Sequence, residues 1–267
     1  ALPICSAAQG VGNLVHAAAT LAEDASADRA RLVEYVAARF DAIDLAARWM
    51  AGPELARAEA MVDKLLRWLA DNPRRLLAIE HEFAVRLDDP VRPIELVGRV
   101  DRLEVDDDGR LVVIDLKTGR SSAVTDAELA RHPQLGGYQA AVAAGAFAEY
   151  GTVSGGAALV QLGTPGRDAR VQSQAPPGAA GARPGGSDAP PGPDGDGEEA
   201  DWARALVRRT AEMMAASTFA AVANSTCRVC PVRISCPVSG QGRQVVEPPS
   251  MAMPPPPPSP RRSGEDA

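Results

Sequence analysis

A short apolar run, Leu111–Lys117, constrains the fold of this chain more than any other stretch. The run ends abruptly at Thr118 and Gly119, which predicts a buried strand followed by a turn. Side chains on a strand alternate between its two faces. We therefore expect Asp115 and Lys117 to lie on the same side of a sheet.

A second strand should pair with this one through a tight turn. The run at residues 94–100 leads into Asp101, and residues 106–109 read Asp-Asp-Asp-Gly, which is typical of a hairpin turn. Such a hairpin brings Asp101 towards Asp115. Two carboxylates and an ammonium group at one point predict a Mg²⁺ site, in which Lys117 orients an attacking water or stabilises charge on phosphorus.

These residues resemble a known nuclease signature. Asp101 followed by Asp115-x-Lys117 is similar to the core of the PD-(D/E)XK nucleases, and Gln134-x-x-x-Tyr138 is similar to the additional motif of the RecB/AddB-like branch. The usual Pro-Asp pair is Val-Asp here, which keeps the acidic ligand. Each motif is weak alone, and the resemblance is specific because the motifs follow the family's order over residues 10–162 and 201–240.

Two further positions join the candidate site. Gly12-x-x-x-His16 resembles the family's first motif, in which a helix offers its histidine to the metal or to the DNA. The spacing puts both residues on one helix face, and the glycine lets a neighbouring backbone approach. Glu82 lies on a strand predicted at residues 76–87, where family members often carry an acid. It is either an outer ligand or part of a solvated strand face.

The helix that follows the predicted strand carries two more candidates. Pro133 begins a helix predicted to reach about Tyr150, so Gln134 and Tyr138 share one face of its first turn. The amide N–H groups at the start of this helix suit a phosphate group. The turn at residues 118–120, Thr-Gly-Arg, is also expected to contact phosphate.

The resemblance implies a fold and a reaction. The fold is α/β, a restriction-endonuclease-like mixed central sheet flanked by helices, with a helical N-terminal part. The reaction is the Mg²⁺- or Mn²⁺-dependent hydrolysis of DNA phosphodiester bonds. Four positions are assigned to the metal, namely Asp101, Asp115, His16 and a backbone carbonyl near Leu116. Lys117 positions the water, while Gln134 and Tyr138 hold the DNA backbone.

A second chemical cluster lies near the end of the chain. Cys227-x2-Cys230-x5-Cys236 contains all but one of the cysteines, which in a cytosolic protein indicates a metal rather than disulfides. The pattern resembles the iron–sulfur subset of RecB-like nucleases, in which a [4Fe–4S] cluster ties the C-terminal segment to the N-terminus. Thiolates bind Zn²⁺ equally well, so zinc stays open. Cys5 is either the fourth ligand or incidental, because it lies closer to His16 than the family's first cysteine usually does.

Composition separates a folded part from low-complexity segments. Gly, Pro, Ala, Ser and Asp dominate residues 163–200, which predicts a disordered insert after a final strand at residues 155–162. Residues 241–267 are rich in proline and predict a disordered tail. We therefore expect one nuclease domain over residues 1–240, with the cysteine cluster at 227–236.

The net charge and the hydropathy of the sequence limit how the protein can contact DNA and where in the cell it can lie. The net charge of −7 argues against a generic basic nucleic-acid binder, so the grip on DNA must come from local groups. The sequence has no signal-like start and no apolar run of membrane-spanning length. We expect a cytoplasmic protein that does not contact a membrane.

The resemblance also suggests partners. Such domains commonly follow a helicase motor in the same chain, pair with a second helicase–nuclease subunit and act on single-stranded or duplex DNA ends in double-strand break resection. The Ala-rich, Pro-tailed composition suits an actinobacterial AdnAB-type subunit, and the start at Ala1, without an initiator Met, suggests a fragment of a longer chain. The motor itself is absent from this sequence, which has no G-x-x-x-x-G-K-[ST] phosphate loop. Two alternatives stay open, a catalytically silent module that binds DNA or supports a helicase complex, and a stand-alone exonuclease.

Overall fold

The computed structural model describes residues 7–120, 124–176, 178, 202–218 and 221–238. By its internal contacts the chain divides into two compact units, residues 1–215 and residues 216–267. This division lies before the domain end predicted at residue 240, and it puts the cysteine cluster in the second unit. Within the described residues, no helix is both long enough and apolar enough to cross a membrane.

The first unit is built on one sheet whose five strands follow chain order. They are β1 (Arg75–Leu87), β2 (Ile94–Val105), β3 (Leu111–Lys117), β4 (Ser154–Gln161) and β5 (Arg170–Gln174). Neighbouring strands are antiparallel except β3 and β4, which are parallel. The central strand β3 is buried at every position but its last, because helices cover both of its faces. The predicted mixed sheet flanked by helices is confirmed.

Three N-terminal helices cover one face of the sheet. They are α1 (Ala7–Ala19), α2 (Arg29–Phe40) and α3 (Ala51–Asp71), and their apolar sides share a core with every second residue of β3. Asp28 caps α2 through the N–H of Ala30, and α3 begins before Pro53. Pro53 is tolerated because a first-turn residue has no helical partner for its missing N–H.

The crossover between the parallel strands β3 and β4 carries two helices, α4 (Asp126–Ala130) and α5 (Pro133–Ala143). Thr125 and Glu128 form a reciprocal capping box at the start of α4. The prediction that α5 reaches about Tyr150 is wrong. The helix ends at Ala143 because Gly145 adopts φ 86°. The N–H groups of Gly145 and Ala146 then donate to carbonyls of the last turn.

A sixth helix, α6 (Trp202–Ala215), packs on α5. The contact depends on Gly136, because a Cβ at that position would lie 2.5 Å from the ring of Trp202. The neighbouring Gly137 has open space where its Cβ would be. Only one of the two glycines is therefore needed for packing.

The strand β5 corrects the prediction of disorder from residue 163 and of a final strand at residues 155–162. It pairs with β4 and buries Gln172 and Gln174. Gln172 exchanges two hydrogen bonds with the backbone of Val124, and Gln174 donates to the carbonyl of Leu129. These buried amides satisfy backbone groups of the crossover, which a hydrophobic pattern does not reveal. Of the predicted insert the structure describes residues 163–176 and 178, and the rest of the insert and the predicted tail lie outside the described residues.

In the second unit, the described residues form two short 3₁₀ helices, Ser225–Val229 and Arg233–Ser235. Cys227, Cys230 and Cys236 lie on or beside them as half-buried thiols. The backbone N–H of Asn224 donates to Sγ of Cys227 over 3.2 Å.

Candidate active site

The β2–β3 hairpin fixes the relation of the first two acids. It turns at residues 106–109, where Gly109 has φ 76° and donates its N–H to the carbonyl of Asp106. Oδ2 of Asp101 on β2 accepts a hydrogen bond from the backbone N–H of Leu116 on β3 over 2.7 Å. This places Asp101 beside Asp115, as the sequence predicts.

Asp115 and Lys117 lie on the same face of β3, and α5 holds both. Lys117 Nζ is 2.7 Å from Asp115 Oδ2 and donates to Gln134 Oε1 over 2.7 Å. Gln134 Nε2 in turn donates to Asp115 Oδ1 over 2.7 Å. One amide in the first turn of α5 therefore orients the carboxylate and the ammonium group together.

Tyr138 lies one turn further along α5 and meets the same carboxylate. Its hydroxyl accepts from Gln134 Nε2 at 3.0 Å and lies 3.3 Å from Asp115 Oδ1. Burial and the charge of Asp115 raise the pKa of Tyr138 well above its ordinary value. The phenol therefore stays neutral and acts as a donor to Asp115.

The helix α1 brings the histidine of the first motif to the site. His16 Nδ1 lies 3.4 Å from Asp101 Oδ1. The spacing of four residues places Gly12 one turn earlier, where a Cβ would lie 2.8 Å from Oγ1 of Thr118. The glycine thus makes room for the side chain of Thr118 in the turn that follows Lys117, whereas the sequence predicted the approach of a backbone.

The acid that joins this group from β1 is Glu80. Its Oε1 lies 3.8 Å from His16 Nδ1, and its Oε2 lies 2.8 Å from Nε of Arg99. Glu80 has φ 48°, an unfavourable conformation for a residue with a side chain, and such strain clusters at functional sites. Glu82, the acid that the sequence singled out on this strand, is exposed and is not part of the group.

The register of β1 explains the difference between the two acids. Ile79 pairs with Arg102 and His81 pairs with Val100, so Glu80 faces Asp101 across the ladder. The same register runs from the β1–β2 turn to Ala78, and a bulge between Leu76 and Ala78 changes it only beyond that point. Strand alternation puts Glu80 and Glu82 on the same face of β1. Counting residue pairs back from the turn between β1 and β2 shows that Glu80, and not Glu82, lies opposite Asp101.

The electrostatics of the site favour a cation. Burial alone lowers the pKa of His16, but the hydrogen bond to Asp101 and the charges of Asp101, Glu80 and Asp115 outweigh it and raise that pKa. Burial raises the pKa of Asp115, and Asp101 adds to the rise while Lys117 opposes it. The carboxylates of Glu80, Asp101 and Asp115 thus repel one another, and a positive ion bound between them would lower this repulsion.

The residues present fit a divalent metal ion. One ligand atom each from His16, Glu80 and Asp101 lies within 4.8 Å of the other two, and this is the one such group among the described residues. Asp115 Oδ2 is buried, and it forms an ion pair with Lys117 Nζ at 2.7 Å. Carboxylate and imidazole donors of this kind suit Mg²⁺ or Mn²⁺. Leu116 contributes its N–H to Asp101.

The cysteine cluster offers a different donor set. The Sγ atom of Cys227 is near the backbone N–H and the side-chain oxygen of Asn224. Cysteine binds metals as the thiolate. In the described part of the second unit the three thiols are not drawn into one ligand group, and Cys5 lies outside the described residues. A complete four-thiolate site is therefore not assembled by the residues that the structure describes.

Comparison with known proteins gives one family. Residues 4–237 match the family model described as the PD-(D/E)XK nuclease superfamily. A solved structure titled "Crystal structure of SSO0001" is 18% identical, with a TM-score of 0.37, and the match covers 86% of this chain and 85% of that one. A search of curated proteins found no significant match.

Proposed function

Because this chain belongs to the PD-(D/E)XK nuclease superfamily, which hydrolyses phosphodiester bonds, we propose that it is a Mg²⁺-dependent DNA exonuclease. The observation that carries the proposal is the ring of contacts among Asp115, Lys117 and Gln134, with Asp101 and His16 beside it. The acids and the histidine are present together with the lysine. A domain that had lost its nuclease activity would not be expected to retain all of these side chains together in one site.

The proposed ligands are Asp101, Asp115, His16 and Glu80, with the carbonyl of Leu116 as a further candidate. Mg²⁺ or Mn²⁺ bound there supplies a Lewis acid that polarises the phosphate and lowers the pKa of water. The oxygen Oδ1 of Asp101 is available for this task because the N–H of Leu116 occupies Oδ2. Arg99 similarly occupies one oxygen of Glu80 and orients the other towards His16.

Lys117 orients the water that attacks phosphorus. Its ammonium group contacts Asp115 and Gln134, and these two contacts leave the third N–H with a single orientation, in which it can donate to the attacking water. In the reaction a phosphorus–oxygen bond forms to the water, the bond to the departing sugar oxygen breaks, the water loses a proton, and the sugar oxygen gains one. Gln134 and Tyr138 lie near the start of α5, where their side chains hold the DNA backbone.

The test is cleavage of end-labelled linear single-stranded and duplex DNA, with covalently closed circular DNA beside them. We expect cleavage that needs Mg²⁺ or Mn²⁺, spares the closed circle, and is lost in Lys117→Ala. Arg110→Ala is the matched control, because Arg110 is a cationic residue at the opposite end of β3. Absence of cleavage by the folded wild type would contradict the proposal and favour a catalytically silent module.

We also propose, from the resemblance alone, that this chain works with a helicase motor located upstream in the same protein and with a second helicase–nuclease subunit of the actinobacterial AdnAB type. Its role is then resection of double-strand breaks during DNA repair. The test is the upstream reading frame and its product. A phosphate-loop motor there supports this assignment, whereas a stop codon directly upstream supports a stand-alone exonuclease.

For the cysteines we propose a [4Fe–4S] cluster held by Cys227, Cys230 and Cys236, with Cys5 as the fourth ligand and Zn²⁺ as the alternative occupant. Its role is structural, because it closes a long loop between the two ends of the chain. Anaerobic purification, visible absorption and metal analysis distinguish the two occupants. Cys230→Ser should lose the metal and lower the melting temperature, and a wild type without iron or zinc would contradict the proposal.

A further inference from the structure

Arg120 lies three residues beyond Lys117 and extends into solvent. Its side chain is 67% exposed, yet Nη2 is held 2.7 Å from Oε1 of Glu54. Glu54 is in the first turn of α3, far from Arg120 in sequence. An exposed arginine is thus fixed in one direction beside the candidate active site.

The partner of Arg120 is itself anchored. The other oxygen of Glu54 accepts from Nε of Arg57 over 2.8 Å, and Arg57 Nη1 donates to the carbonyl of Thr118 over 3.0 Å. Burial opposes ionisation of Glu54, but the bonds and charges of the two arginines outweigh it and lower its pKa. The start of α3 and the turn after Lys117 are therefore joined through one carboxylate.

The charge balance of this group distinguishes Arg57 from Arg120. Two guanidinium groups share one carboxylate, which leaves one positive charge uncompensated within the group. Arg57 is largely buried and uses its N–H groups on Glu54 and Thr118, so the accessible charge belongs to Arg120. An ion pair whose arginine is exposed adds only about 0–1 kcal/mol to stability, so stability accounts for the buried Glu54–Arg57 contact but not for the placement of Arg120.

We propose that Arg120 binds a backbone phosphate of the DNA strand next to the phosphate that is cleaved, and that Glu54 holds Arg120 in position for it. A guanidinium group presents a rigid fork of donors that fits phosphate oxygens. The chain carries a net charge of −7 and places three acids at its site, so a local cation is needed to hold the strand. Because the contact is to phosphate, it is independent of base sequence.

This inference rests on the proposed function, and its test separates the two. The affinity of a short fluorescein-labelled DNA is measured by anisotropy at several KCl concentrations, with Ca²⁺ in place of Mg²⁺ to prevent cleavage. For Arg120→Ala we expect several-fold weaker binding and a plot of log K against log salt whose slope is shallower by about 0.7 on single strands and about 0.9 on duplex. Arg120→Lys keeps the charge and should keep the wild-type slope.

Arg110→Ala is again the matched control, because Arg110 is a partly exposed arginine in an ion pair with Asp106 at the far end of β3. Its slope should equal that of the wild type. An unchanged slope in Arg120→Ala, or an equal decrease of slope in Arg110→Ala, overturns the inference about Arg120. Neither result contradicts the proposed nuclease function. A wild type that neither binds nor cleaves DNA overturns the proposed function as well.

Discussion

Leu116 donates its backbone N–H to Oδ2 of Asp101 over 2.7 Å, so the strand β3 itself orients an acid that belongs to β2. A backbone donor is fixed by the sheet and cannot rotate away. The second oxygen, Oδ1, is thereby turned towards His16 at 3.4 Å. The candidate metal site is preorganised by main-chain geometry in addition to side-chain packing.

Glu80 and Glu82 provide a matched pair for testing the site. Glu80→Gln removes a charge that faces His16 and Asp101, and we expect it to lower kcat/KM by about 10²-fold, the usual effect of losing one electrostatic contact at a reaction centre. Glu82→Gln changes an exposed residue and should leave kcat/KM unchanged. Steady-state cleavage rates measure both variants, and the reverse ranking would show that the outer acid is the functional one.

Gly136 and Gly137 should respond oppositely to alanine. Gly136→Ala puts a methyl group against Trp202, and we expect a loss of about 1–3 kcal/mol in the free energy of unfolding, typical of overpacking. Gly137→Ala meets open space in the same helix and should stabilise by about 0.5–1 kcal/mol. Urea denaturation monitored by circular dichroism gives both values. Equal effects of the two substitutions would mean that Trp202 does not lie over Gly136.

Glu104 is buried completely beside Arg102 at 3.1 Å and accepts two hydrogen bonds from Asn72. Glu104→Leu leaves the buried guanidinium charge without its carboxylate, so we expect the free energy of unfolding to fall by about 3–5 kcal/mol. The comparison is Asp63→Asn, which breaks the exposed pair with Arg29 and should cost under about 1 kcal/mol. Urea denaturation of both variants tests the contrast. A similar small cost for both would contradict it.

The lowered pKa of Glu54 predicts a pH dependence of stability. Because its pKa is depressed in the folded state, the carboxylate stabilises the fold above the ordinary glutamate pKa, about 4.3, and this contribution is lost as the pH falls through the folded-state value. The melting temperature of Glu54→Gln should therefore lie below that of the wild type near neutral pH. The gap should close in acid, and a gap that stays constant with pH would contradict the assignment.

The parts of the fold that depend on local chemistry follow from the sequence. The Asp-Asp-Asp-Gly turn and the apolar run after it give the β2–β3 hairpin, and strand alternation gives the shared face of Asp115 and Lys117. The capping box of α4 and the proline at the start of α5 are equally local. The shared helix face of Gln134 and Tyr138 also follows from their i, i+4 spacing, whereas their contacts with Asp115 depend on how α5 docks on β3 and were not predicted.

The features that escaped prediction depend on distant partners. Glu80 joins the candidate site because the pairing of β1 with β2 places it opposite Asp101, and no residue beside Glu80 signals that register. The strand β5 lacks an apolar face, and its buried glutamines are satisfied by a segment more than forty residues earlier in the chain. The early end of α5 depends on one glycine in a left-handed conformation. Alternation and composition carry no information on these long-range pairings.

The three acids of the site lie on successive antiparallel strands of one continuous meander, β1 to β3, whereas the histidine comes from a helix that precedes it. Contacts of low sequence separation form first in folding, because closing a short loop loses less chain entropy. Within the meander Lys117 pairs with Asp115 and Arg99 pairs with Glu80, whereas the basic neighbour of Asp101 is His16 of α1. We therefore expect a divalent ion bound at Asp101 to speed the folding of this chain as well as to complete its chemistry.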